Sequence, residues 1–403
     1  MAQLSVLDDA DSSRALWRLK VAIATIIFCL SVSAVPIYNK LVFANGVCDG
    51  NECLRRFPYP MATAFLQLLL VATVLGIINV AGHFCDRSKS WLFGPHFRYK
   101  LRHIAPVGVL FGLKYGVTNW GLQLVPVGIH LLLQSTDVIW TILLAEFANH
   151  EDLGLLEVVA AVLSAGGSAL IGLHAADTLQ APLVPLLVNI LPPFLLALCV
   201  STLRMGAKEL FRPDNRLGGT VTPTEFTSIK LILSSLTALV LSILHEGPAP
   251  GRPSWWEALA EEPPAGVVLM LLGGVFVLIF QVNLTWLVGL TSVATVGIIG
   301  GVKVVPQWIL NALFQFKVDL NPLNLGGAAL VILATSLYAY ANYRAAKLVI
   351  KKPDCCCCSS SRWKKQGLDS LEERLLETAS PLYGRRCNAP AALLETGVPT
   401  TPA

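Results

Sequence analysis

From Pro263 to Val302 the chain runs 40 residues without one Asp, Glu, Lys or Arg. An uncharged run of that length has no place on the surface of a soluble domain, whereas a membrane-crossing helix needs about 20 apolar residues. The run therefore reads as two spans, divided at Gly289-Leu290-Thr291. Similar stretches recur along the chain, and the pattern predicts ten transmembrane helices near residues 20–42, 60–82, 103–124, 126–148, 154–174, 181–205, 224–244, 265–289, 292–315 and 321–343. Composition agrees: 54% of residues are hydrophobic and only 14% are charged, against about a quarter charged in soluble proteins. The expected fold class is an all-α membrane protein. An ordinary globular enzyme is excluded, and the net charge of +4 points to no nucleic-acid partner, because the basic residues sort by membrane side.

That sorting predicts orientation. Of the Lys and Arg residues outside the spans, 22 fall in the N-terminus, the connections after even-numbered spans and the C-terminal tail; the opposite set holds Arg55, Arg56, Arg252 and Lys317. The positive-inside rule then puts both termini in the cytosol. The expected organisation is a cytosolic N-terminus (1–19), a transporter domain (20–345) and a mostly disordered cytosolic tail (346–403). Asp8, Asp9 and Asp11 argue against an acid-poor transit peptide. Span one is expected to be its own insertion signal, with no cleavable signal peptide. Cys48 and Cys53 share the first non-cytosolic loop, where a disulfide and two free thiols are both open. Cys355, Cys356, Cys357 and Cys358 follow Lys351-Lys352 near the cytosolic membrane surface, which makes them candidates for palmitoylation. No spaced Cys or His set suggests a metal.

Shifting the chain by 167 residues aligns spans four and five with nine and ten. Val138 meets Val305, Phe147 meets Phe314, and Asp152-Leu153 meets Asp319-Leu320. Five spans per half, an odd number, would put the halves (about 20–174 and 181–345) in opposite orientation, the inverted repeat of many secondary transporters. Three charges lie deep in spans: Lys114, Asp137 and Lys303. Each costs about 2.5–3.5 kcal/mol at the bilayer centre, so each needs a partner or a wet cavity. Lys114 and Asp137 sit on adjacent spans and read either as a structural pair or as part of a site. Lys303 shows no evident acidic partner. Gly297, Gly300 and Gly301 around it suit a ligand or a close helix equally, and Pro306 invites a kink. Glu146, Glu157 and Lys230 near helix ends are expected to snorkel, and His130 to be interfacial.

Tyr38-Asn39-Lys40 closing the first span, Phe57-Pro58-Tyr59-Pro60 and Gln67 opening the second, Asn119, Val125-Pro126-Val127, and Thr291-Ser292 before a span with a central lysine form one pattern. It resembles the triose-phosphate translocator and nucleotide-sugar transporter family of the drug/metabolite transporter superfamily, over about residues 20–345. The resemblance implies a ten-helix antiporter of nucleotide sugars or phosphorylated sugars, exchanging for a nucleotide monophosphate or phosphate, in Golgi or endoplasmic reticulum membrane. Two positions depart from the sugar-phosphate branch: Gln134 stands where it has a phosphate-binding lysine, and Val304 where it has an arginine. That departure favours a larger ligand such as a nucleotide sugar. Lys303 is then expected to pair with substrate phosphate, Lys114, Gln134 and Asn119 to line the same cavity, and Tyr38, Asn39 and Lys40 to stand near its non-cytosolic mouth. No cofactor and no enzymatic activity are expected. The expected partners are the bilayer and an anionic phosphorylated solute, with a homodimer left open. An exporter of another small metabolite is the competing reading.

Overall fold

The computed structural model describes residues 2–44, 48–49, 52–53, 57–85, 92–94, 96–125, 130, 133–134, 136–151, 153–175, 183–251, 253–303, 305–306, 309 and 322–350. Residues 1–20 group with 360–403 as one unit and 21–359 form the other; only residues 2–20 of the first unit are described, as the opening turns of a helix. The described helices are α1 (Ala2–Ala44), α2 (Pro60–Cys85), α3 (Phe97–Leu124), α4 (Asp137–Phe147), α5 (Leu155–Ala175), α6 (Leu183–Leu210), α7 (Pro223–Glu246), α8 (Trp255–Glu261), α9 (Pro264–Leu290), α10 (Val293–Val302) and α11 (Pro322–Ile350). A two-residue antiparallel ladder sets Cys48 opposite Cys53. The side chains of that pair, and Cys355 to Cys358, lie outside the described residues.

Among the described residues five stretches are by themselves long and apolar enough to cross a membrane: Leu19–Lys40, Pro60–Cys85, Leu187–Leu210, Pro223–Glu246 and Pro264–Leu290. Long helices suit an apolar solvent because every backbone polar group is satisfied within the segment. The division of the uncharged run falls where it was expected, with α9 ending at Leu290 and α10 starting at Val293 behind an N-cap in which Ser292 accepts from Thr295 N at 3.1 Å.

Spans four and nine depart from the expected continuous helices. His130, Leu133 and Gln134 are helical, but the helix is interrupted before α4, where Thr136 turns its amide and its Oγ1 back to the Leu133 carbonyl. Such local hydroxyl bonds compete with the helical ladder. The run α10 stops at Val302, whose carbonyl would need the amide of Pro306, a residue that has none. Val305, Pro306 and Ile309 are helical again.

The bundle is held by close pairs. Helix α2 packs on α7, α3 on α6 and α7, α9 on α2, α4 on α6 and α10, and α5 on α11. Two glycines bring α3 onto α7: a Cβ at Gly112 would come within 2.6 Å of Thr237 Cβ, and one at Gly108 within 2.6 Å of Leu233 Cβ. Ser234 Oγ then reaches the Gly108 carbonyl at 2.8 Å. Against α9, α1 is fixed by Asn283 Nδ2 donating to Ala24 O at 2.7 Å and by the Phe28 and Phe280 rings, 5.8 Å apart.

Carboxylates from loops and helix ends cap other helices. Glu246 accepts from the amides of Met61 (2.8 Å) and Ala62 (2.7 Å) at the start of α2, and Glu151 from those of Val293 (2.9 Å) and Ala294 (3.1 Å) at the start of α10. These amides have no partner inside their own helices, and the positive end of each dipole favours an anion there.

Several charged residues sit deeper than sequence reasoning held. Lys230 is fully buried two turns into α7; its ammonium donates to Thr285 Oγ1 at 3.0 Å and lies 4.7 Å from the centre of the Phe111 ring. Snorkelling fails because α3 and α9 close over it. Lys100 and Arg204, counted as connection charges, are buried too: Lys100 pairs with Glu225, and Arg204 Nη1 donates to Val288 O at 2.9 Å. Helices α3 and α6 extend past the apolar runs and carry these residues into the packing. Glu146 is exposed as expected.

Candidate functional site

The interruptions in spans four and nine meet. Asp137 is the first residue of α4 and Lys303 the residue that ends α10, and the Lys303 ammonium forms an ion pair with Asp137 Oδ2. Both are about 96–97% buried. The carboxylate stands at a helix N-terminus and the ammonium at a helix C-terminus, so each charge opposes the end of the dipole it sits on favourably. Two details hold α10 in place. Ser33 Oγ donates to the Lys303 carbonyl at 3.2 Å, and Thr141 fills the space over Gly297, where a Cβ would lie 2.7 Å from its Cγ2.

The expectation that Lys303 has no acidic partner is thus corrected. So is the pairing of Asp137 with Lys114, because α4 faces α10 where the charges lie. The glycines divide between both of their readings: Gly297 and Gly301 admit Thr141 and Ser164 of neighbouring helices, whereas Gly300 faces open space at the cavity wall.

Beside the ion pair is a cavity of about 50 Å³ lined by Lys114, His130, Gln134, Asp137 and Lys303, with Phe28, Phe280 and Leu284 among its apolar walls. The volume holds roughly three to five waters. Three polar groups on this lining are unsatisfied among the described residues. Asp137 Oδ1 and Gln134 Nε2 have no hydrogen-bond partner. The Lys114 ammonium has no acceptor either, its neighbour being the Tyr115 ring at 4.7 Å. Buried polar atoms are nearly always paired, so three orphans on one wall mark a surface built to meet something else.

His130, expected at the interface, is 1% exposed and part of this lining. Asn189 donates through Nδ2 to Gly121 O (3.0 Å) and Pro185 O (2.8 Å), which turns its Oδ1 toward His130 Nδ1 at 2.7 Å. Nδ1 is therefore the donor, and Nε2 of the neutral ring is left as an acceptor. Sequence alone offered one sign of this role, the register of His130 one helical turn before Gln134.

The remaining expected site residues do not line the cavity. Asn39 Nδ2 donates to Asn119 Oδ1 (3.2 Å), Asn119 Nδ2 to Pro60 O (3.2 Å), and Gln67 Nε2 to Asn39 Oδ1 (3.0 Å) and Met270 O (3.1 Å). Tyr38 donates to Leu269 O, and the Lys40 ammonium to the carbonyls of Leu122 (2.8 Å) and Val125 (3.1 Å) at the C-terminal end of α3. These residues clasp α1, α2, α3 and α9 together. Their polar groups are turned on one another and on backbone carbonyls instead of into the cavity. Among the described residues no cluster of His, Cys, Asp or Glu could hold a metal ion.

Residues 19–173 match the sequence profile of the EamA-like transporter family. A solved structure titled "Crystal structure of protein" is similar over 81% of this chain and 98% of that one, with a TM-score of 0.54 and 17% identity, a likeness of fold alone. No curated protein matches. The profile covers the first half of the bundle, α1 to α5, and stops before α6. The profile match spans 155 of the 403 residues.

Proposed function

We propose that the protein is a secondary carrier that exchanges anionic, phosphorylated solutes across an internal membrane, with nucleotide sugars or phosphorylated sugars moving against a nucleotide monophosphate or phosphate. The observation that carries this reading is the cavity at the meeting of two interrupted helices, where Lys303 is paired and Lys114 has no acceptor among the described residues. Net positive charge in an apolar surround selects for anions. A nucleotide sugar needs a pocket of several hundred Å³, so the cavity must open to load it. Alternating opening on either side is the service an inverted repeat provides.

Packing supports such a repeat. Under the 167-residue shift Thr136 falls on Lys303, so the interruptions of spans four and nine are equivalent. Helices α2 and α7, and α5 and α11, each pair repeat-equivalent elements. The contact of α3 with α7 has its counterpart in that of α9 with α2. The segment matching the family profile, 19–173, coincides with the first half. Both termini are then cytosolic, and Golgi or endoplasmic reticulum is the proposed address.

The test is uptake into proteoliposomes preloaded with phosphate or a nucleoside monophosphate and offered labelled nucleotide sugars and sugar phosphates. The reading expects saturable uptake of at least one phosphorylated solute, accelerated by internal anion. Transport confined to neutral solutes, insensitive to Lys303→Ala, would replace it with the competing exporter reading.

A further inference from the structure

We propose that Asp137 is a tethered substitute for the substrate anion, one that neutralises Lys303 in the cavity and thereby lets the carrier return without cargo. The inference rests on the anion-carrier reading and concerns how tightly exchange is coupled. A central lysine without a counter-charge would make the closed, unloaded form costly, because an ammonium would be shut in a low-dielectric cavity. Exchange would then be obligatory, each crossing needing an anion aboard.

The geometry removes much of that penalty. Lys303 already holds a carboxylate oxygen, supplied by α4 from the other half of the bundle. The pairing joins two helix ends whose dipoles favour these charges. Lys114, the second cation on the wall, is eased by the face of the Tyr115 ring. Among the described residues Asp137 Oδ1 and Gln134 Nε2, on two residues of the cavity lining, have no partner. An entering anion meets the unclaimed Lys114 first and competes with Asp137 for Lys303. The carboxylate therefore has two opposed effects: it weakens binding of cargo, and it permits the unloaded crossing.

Asp137→Asn separates these effects, since the amide keeps the shape of the side chain and loses its charge. The probe is a mixture of the four labelled nucleoside monophosphates, in proteoliposomes either preloaded with the same compounds (exchange) or without internal anion (net uptake). The wild type is expected to show net uptake at a tenth of the exchange rate or more, and Asp137→Asn to lower the ratio of net uptake to exchange at least tenfold. Asp137→Glu, which keeps the charge, should hold the ratio within about threefold of wild type. As a second readout in detergent, the same mixture should raise the melting temperature of Asp137→Asn at lower concentration than it does for the wild type, a gain that misfolding cannot imitate. An unchanged ratio in Asp137→Asn, or nucleotide binding that is weakened or lost, overturns the inference while leaving the carrier reading intact. Absence of wild-type transport in both modes, for these nucleotides and for the sugar phosphates and nucleotide sugars above, overturns both.

Discussion

Two buried polar networks lie within the same apolar bundle and are built on opposite terms. In the clasp formed by Tyr38, Asn39, Lys40, Gln67 and Asn119, every one of these side chains has at least one protein partner, either another clasp residue or a backbone carbonyl. In the cavity, Lys303 and Asp137 pair, yet Asp137 Oδ1 and Gln134 Nε2 have no partner and Lys114 has no acceptor among the described residues. A satisfied network rigidifies, and a partly satisfied one costs stability unless something completes it. The first therefore serves the architecture and the second is left open to a guest, the solute under the proposed function, although both contain a lysine and an amide.

The largest expected effect is at Lys303. Lys303→Ala should abolish exchange and, by leaving Asp137 charged without a partner, destabilise the protein by about 3–5 kcal/mol. The double variant with Asp137→Ala should regain most of that stability without regaining exchange, which thermal melting and liposome flux read separately. Recovery of exchange in the double variant would make the pair purely structural. In the clasp, Gln67→Leu strands Asn39 Oδ1 and should cost about 1–3 kcal/mol, while the KM of the folded fraction stays within about twofold of wild type. A KM change above tenfold would erase the distinction between the two networks.

Gly112→Val asks whether the seam between α3 and α7 is as tight as it looks. Overpacking against Thr237 should cost about 1–3 kcal/mol and lower the melting temperature without selective loss of solute affinity. Glu246→Gln should cost about 1 kcal/mol through the weaker cap on α2.

The smallest effect concerns α8, which contributes no side chain to either network. Ser254 and Glu257 form a capping box, and the Ser254 amide donating to the Glu257 carboxylate, with the Ser254 hydroxyl contributing, holds that carboxyl below its ordinary value of 4.5. The folded pKa is depressed, so the stabilisation is complete above the unfolded value and is lost as pH falls through the folded one. Protection of the Ser254 amide from exchange, relative to the unfolded chain at the same pH, should fall as the Glu257 carboxyl is protonated, with no effect on flux at neutral pH.

Much of this was legible in the sequence because the bilayer imposes a local rule. Uncharged runs of fixed length mark spans wherever they occur, and Ser292 and Thr291 after Gly289 mark a boundary by turn and cap chemistry that needs no distant partner. Lys114, Asp137 and Lys303 stood out for the same reason, since a charge in an apolar run is costly whatever surrounds it. The 167-residue shift likewise needs only the order of residues.

Only the tertiary structure decided what those charges do. Asp137 has an opposite charge on the adjacent span in Lys114, yet it pairs with Lys303, 166 residues away. That choice depends on which helices abut, and α4 abuts α10. The same dependence joined Tyr38, Asn39, Lys40 and Asn119 in a clasp, brought His130 to the cavity wall and buried Lys230 beneath α3 and α9. Local sequence sets the cost of placing a polar group in the membrane; the helices packed around it determine which partner offsets that cost, or whether the group is left open for a solute.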